Sequence, residues 1–138
     1  MIAYIHGFNS SPESNTFKLL QQFFPDAQAL DYPSSGLFPE HLARLHKQAR
    51  ALNLPIGTSL VLVGSSLGGF YASQLSALLG CNCALFNPVV WPAQSLRKFV
   101  GPNIYFYGGQ HWEFTDAMCD SYAIFPDVRT APVNHFLV

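Results

Sequence analysis

The sequence predicts an α/β domain with an open, doubly wound, mostly parallel sheet. Short apolar runs at residues 1–5, 60–63, 83–86 and 104–107 are continuous rather than alternating, the pattern of strands covered on both faces. Segments with helical spacing lie between them, and strands alternating with helices of this length give right-handed βαβ units. The 138 residues show no repeat, low-complexity tract or linker, so one domain spanning 1–138 is expected.

Each element has its own signal. After the first strand, Ser11-Pro12-Glu13 marks a helix start, and Phe17, Leu20 and Phe24 follow at i, i+3 and i+7. Leu42, Leu45, Ala49 and Leu52 repeat that stripe behind Pro39-Glu40. Residues 68–79 form an Ala/Leu/Ser-rich helix, and Gly80 stands where a C-cap glycine belongs. A shorter helix over 92–100 stops at Gly101-Pro102. From residue 102 to 138 the chain is aromatic and irregular and reads as a lid-like or cap segment.

Composition narrows the functional classes. The chain is 49% hydrophobic and only 11% charged, against about 25% charged in ordinary soluble domains. Seven basic and eight acidic residues give a net charge of −1, which leaves no electrostatic footprint for nucleic acid. No apolar run reaches the roughly 18 residues of a membrane span, and the N-terminus lacks a basic leader, so a cytoplasmic protein is expected. Cys81, Cys83 and Cys119 do not form a disulfide framework or a metal-ligand spacing. No metal or organic cofactor is implied.

The segment Gly64-Ser65-Ser66-Leu67-Gly68 is a G-x-S-x-G pentapeptide set between an apolar strand and a helix. That context turns a common pattern into a specific one: a sharp strand-to-helix turn strains the serine and lifts its hydroxyl off the sheet edge. The helix N-terminus then favours a developing negative charge beside it. No Gly-Lys-Ser/Thr follows, which excludes a Walker loop. Ser66 is therefore the candidate nucleophile.

His6-Gly7-Phe8 directly follows the first strand. In hydrolytic sites of this architecture, an early loop supplies one oxyanion N–H and the residue after the nucleophile supplies the other. The candidate donors are the backbone N–H groups of Phe8 and Leu67, each worth about 3–4 kcal/mol in such sites. His6 precedes the serine and is read as a buried strand-end residue that shapes the loop.

The stretches YIHGFNSSPES, LVGSSLGGFYAS and FNPVVWP resemble the small YqiA-like esterases of the α/β-hydrolase superfamily, which carry LHGFNSSP, VGSSLGGYYA and VNPAVRP. The resemblance continues through Val100-Gly101-Pro102-Asn103 and Tyr107-x-Gly109-Gln110 to Trp112, Phe114 and Thr115. It implies an α/β-hydrolase fold and a serine hydrolase of small-molecule acyl esters; the same nucleophile and oxyanion donors also serve a thioester. Gly7, Asn9 and Trp112 are the candidate pocket residues.

The acid and base are less legible. The expected order is Ser, then acid, then His. After Ser66 the acids are Glu113, Asp116, Asp120 and Asp127, and His111 precedes them all, leaving His135. One arrangement uses Glu113 or Asp116 as acid and His135 as base. The resemblance implies another: residues 129–138 match the lead-in to the acid-bearing strand, whose acid and base loops come after position 138. In that arrangement the domain is a catalytically silent binding or self-associating module, with an exposed sheet edge that invites homo-oligomers.

His41 and His46 are five apart on a helix, on different faces, and are read as solvated. Tyr105, Phe106, Tyr107, Trp112 and Phe114 surround Gly108-Gly109. That aromatic cluster is a lid or pocket wall, a piece of core, or an interface.

Overall fold

A computed structural model describes residues 1–123 and the backbone of residues 135–137. Five strands form one parallel sheet in the order β2-β1-β3-β4-β7: β1 (Ile2–Ile5), β2 (Gln28–Leu30), β3 (Val61–Ser65), β4 (Asn82–Phe86) and β7 (His135–Leu137). All four pairings are parallel, as the continuous apolar runs predict. The registers align Ile5 with Gly64 and Ser65 with Phe86, so the C-terminal ends of β1, β3 and β4 meet at one sheet edge.

Helices cover both faces. Ala3, Ile5 and Leu62 face α2 (Phe38–Arg50) and α3 (Leu67–Leu79), which contribute Phe38, Leu45, Phe70, Tyr71 and Leu75 to the main core. The alternate residues Tyr4 and Val63 pack with Phe17 of α1 (Asn15–Phe23) on the other side. Full burial of an aliphatic chain such as Leu62 contributes about 1.5–3 kcal/mol. Every residue of α3 from Leu67 to Ser76 is buried, the polar Ser73, Gln74 and Ser76 included, and the Ser73 and Ser76 hydroxyls donate to the Phe70 and Ser73 carbonyls of the helix itself.

Local signals set the helix ends. Ser14 caps α1 by accepting the Phe17 N–H at 3.2 Å, directly after the predicted start signal Ser11-Pro12-Glu13. Gly80 closes α3 in the left-handed conformation (φ +66°), as its position in the sequence predicts. The predicted helix over 92–100 divides into α4 (Pro92–Ser95) and a 3₁₀ turn at Arg97–Phe99.

The expected strand at 104–107 is not a sheet strand. The chain instead forms an antiparallel hairpin, β5 (Gly101–Ile104) with β6 (His111–Phe114), outside the parallel sheet. Gly108 and Gly109 both take positive φ in the connecting turn, which reverses the chain before a fourth parallel run can extend. α5 (Asp116–Asp120) and a 3₁₀ turn at Ser121–Ala123 return to the core through buried Tyr122.

His41 is also placed differently from its sequence reading. It is 2% exposed, between the Ser35 carbonyl at 2.8 Å and the Tyr71 hydroxyl at 3.1 Å. The carbonyl can only accept, so Nε2 carries the proton and Nδ1 accepts from Tyr71, whose oxygen in turn meets Tyr122 Oη at 2.8 Å. Its partners come from a loop and a distant helix, which helical spacing does not reveal.

Two outcomes are expected. Burial lowers the His41 pKa below 6.5, so the unfolded chain takes up a proton that the folded chain resists. Stability then falls as pH drops below about 6.5, and urea melts of His41→Gln should show a flatter pH dependence there. A Cβ on Gly68 would run into the backbone carbonyls of Ile5 and His6, so Gly68→Ala should cost about 3 kcal/mol or prevent folding, as read by the same melts.

Candidate active site

The site is built at the turn from β3 to α3. Ser66 has φ 55° and ψ −121°, a conformation that L-residues occupy at a cost of about 1–3 kcal/mol. The surroundings hold it there. Its N–H donates to the Phe86 carbonyl at 3.0 Å, and its carbonyl accepts from Gly69 at 3.0 Å and Val89 at 3.0 Å. The side chain is left exposed, and among the described residues its hydroxyl has no hydrogen-bond partner.

Missing side chains make the turn possible. A Cβ on Gly64 would collide with the Gly68 backbone, and one on Gly69 would come within 2.9 Å of Pro88 Cβ. Gly7 lies directly across from the serine: a Cβ there would be 3.4 Å from Ser66 Cβ and 3.9 Å from its Oγ.

Among the described residues, neither the Phe8 N–H nor the Leu67 N–H has an acceptor. Leu67 is the first residue of α3, where an unpaired N–H and the positive helix end coincide. Two unpaired donors beside an exposed hydroxyl are the groups needed to attack a carbonyl and hold the resulting oxyanion. A cleft of about 240 Å³ opens here, lined by Gly7, Phe8, Ser66, Phe106 and Tyr107 among others.

Behind the cleft sits a polar support. His6 is fully buried and stacks on Tyr32 with ring centroids 4.5 Å apart. Its Nδ1 faces the Gly7 carbonyl at 2.9 Å and its Nε2 faces Asp31 Oδ1 at 3.0 Å, so it shapes the loop as the sequence reading has it. The hydrogen bond from His6 is the main cause holding the Asp31 carboxyl below its ordinary value, against the opposing effect of burial. Asp31 and Tyr32 carry no motif and escape sequence reasoning; only the fold brings them to the end of β1.

The other predicted residues are placed as follows. Asn9 and Trp112 sit beside the loop and bond to each other, with Trp112 Nε1 donating to Asn9 Oδ1 at 2.7 Å. Trp112 packs on Phe8 and Phe114, whereas Phe106 and Tyr107 line the cleft. The aromatic cluster thus splits into a cleft wall, a supporting layer and, through fully buried Phe114, core.

Glu113 is exposed on β6, and Asp116 accepts from Arg97 at 3.4 Å on the surface. No hydrogen bond joins either acid to Ser66 among the described residues. Asp127 and the side chain of His135 lie outside the described residues. The backbone of His135 opens β7 level with Cys83, and Cys83 is level with Leu62, four positions before Ser66. At ~3.3 Å per residue that is roughly 13 Å along the sheet. Among the described residues, no group of three or more His, Cys, Asp or Glu could hold a metal.

Strain at the nucleophile gives a direct expectation. Ser66→Gly should relieve more backbone strain than the ~0.5–1 kcal/mol that glycine's extra freedom costs, so thermal melts should show a higher Tm. A lower Tm would contradict the strained-turn account.

The fold is similar to solved α/β-hydrolase structures. Est1E from Butyrivibrio proteoclasticus superposes with a TM-score of 0.64 over 99% of this chain and 65% of that one, at 15% identity. The complex titled ferulic acid bound to Est1E gives 0.62 over 97% of this chain and 67% of that chain, at 16% identity. At such identities the likeness is one of fold. In sequence, a UPF0227 protein of Vibrio vulnificus is 33% identical over 103 residues, 70% of this chain and 54% of its own length. A UPF0227 protein of Serratia proteamaculans is 35% identical over 101 residues, with 70% and 55% covered. The chain spans about half the length of these curated relatives. The family model described as "Uncharacterised protein family (UPF0227)" matches residues 1–138, and the chain belongs to that family.

Proposed function

We propose that this protein is a serine hydrolase of small acyl esters or thioesters, with Ser66 as nucleophile. Ser66 Oγ gives up its proton as it attacks the carbonyl carbon, the carbonyl π electron pair moves to the carbonyl oxygen, and the Phe8 and Leu67 N–H groups hold that oxyanion. As the tetrahedral species collapses, that proton goes to the departing oxygen or sulfur. Collapse expels the alcohol or thiol and leaves an acyl-enzyme, which water then cleaves. The observation that carries the reading is the exposed Ser66 in its strained turn, beside two backbone donors without acceptors. The cleft wall of Phe106 and Tyr107 favours an apolar or aryl group on the substrate. The known solved complex of Est1E with ferulic acid is consistent with a substrate of that kind.

A second reading is a domain that binds in this cleft without turnover and self-associates through a sheet edge. It draws on the unpartnered Ser66 hydroxyl and on the level of His135, well down the sheet from the nucleophile. An intact oxyanion site without a base retains only about 10³–10⁴-fold over water.

Fluorophosphonate labelling of the full chain, with intact mass and peptide mapping, separates the two. The hydrolase reading expects one adduct on Ser66 that is absent in Ser66→Ala. A folded protein that takes no adduct supports the silent module instead, and sedimentation would then be expected to show oligomers.

A further inference from the structure

We propose that Asn9 is a positioning residue that aims the Phe8 N–H at the reacting oxygen by clasping the loop that carries Phe8 to the β5–β6 hairpin. The inference rests on the hydrolase reading above and deepens it.

The Ser10 N–H donates to the Gly7 carbonyl at 3.2 Å, so residues 7–10 form a β-turn. Asn9 is the third residue of that turn and has φ 59°, while Phe8 keeps negative φ. A turn of this kind needs glycine or asparagine at the third position. Within the planar trans peptide between residues 7 and 8, the C=O and N–H point in opposite directions. The Gly7 carbonyl is held on one side by Ser10 N–H and by His6 Nδ1. Its partner, the Phe8 N–H, is thereby turned the other way and has no acceptor.

What holds the turn is Asn9, which is 5% exposed and bonded through every polar group it has. Its N–H donates to Ser34 Oγ at 2.8 Å, and its carbonyl accepts from Phe106 at 2.9 Å. Its side chain donates to Asn103 Oδ1 at 3.1 Å and accepts from Trp112 Nε1 at 2.7 Å. Three of those four partners belong to the hairpin and its turn, which carries the cleft-lining Phe106 and Tyr107. Docking of the hairpin and orientation of the oxyanion donor are therefore one mechanical unit.

Two substitutions isolate the clasp from the fold. Asn9→Gly tolerates positive φ but loses both side-chain bonds, and Trp112→Phe keeps the ring packing but loses the N–H. Two readouts are taken on the full chain: hydrogen exchange at the Asn9 and Ser10 amides, and fluorophosphonate labelling resolved into binding (KI) and bond formation (kinact). Exchange should quicken in both variants. The kinact should fall about tenfold or more in Asn9→Gly and less in Trp112→Phe, with KI and Tm little changed. Unchanged exchange, or quicker exchange with unchanged kinact, would overturn the proposal. A parent protein that does not label would overturn the nucleophile reading alone; quicker exchange would then still support the clasp, and unchanged exchange would sink it.

Discussion

The site depends on how closely the backbone at the start of α3 approaches the ends of β1 and β3. Gly68 lies against the carbonyls of Ile5 and His6, and Gly64 lies against Gly68, at distances that leave no room for a Cβ. That contact brings the first turn of α3 over the sheet edge. It holds Ser66 at positive φ, and Gly7 of the loop that carries Phe8 lies directly across from it. Larger residues at these two positions would move the helix outward and separate the groups the chemistry needs. The energy stored in the Ser66 turn is offset by the main core, in which ten consecutive residues of α3 are buried.

Around that contact the supporting groups form two layers. His6, Asp31 and Tyr32 fix the start of the loop from the β1–β2 side. Asn9, Ser34, Tyr105 and Trp112 fix its far end from the hairpin side, with the Tyr105 hydroxyl accepting the Ser34 N–H at 2.9 Å. His41 closes the same structure from below by holding the Ser35 carbonyl. The proposed chemistry asks a hydroxyl and two N–H groups to meet at one small space, and it needs such support because an error of about 1 Å can cost a hundredfold in rate.

The parts of the fold legible in the sequence are those whose signal is local. β1, β3 and β4 announce themselves as continuous apolar runs, α3 by its glycine punctuation, and the nucleophile turn by G-x-S-x-G between a strand and a helix. β2 was not legible, since it has three residues of which only Leu30 is buried. In sequence the start of the hairpin reads as a sheet strand because Tyr105, Phe106 and Tyr107 are good strand formers, and the reversal is decided by positive φ at Gly108 and Gly109. The buried state of His41 and the pairing of His6 with Asp31 depend on residues brought together by the fold. Sequence spacing carries no trace of them. The acid and base followed only from chain order and resemblance, and the described residues join none of the candidates to Ser66.

The central claim is that the Phe8 and Leu67 amides converge on the oxygen that becomes charged when Ser66 reacts. A crystal structure of the phosphonylated full chain tests it most directly. The account expects phosphorus bonded to Ser66 Oγ and one phosphonyl oxygen about 2.7–3.1 Å from both N–H groups. A Ser66 adduct whose oxygens all face solvent, with the Phe8 N–H turned toward another acceptor, would contradict it.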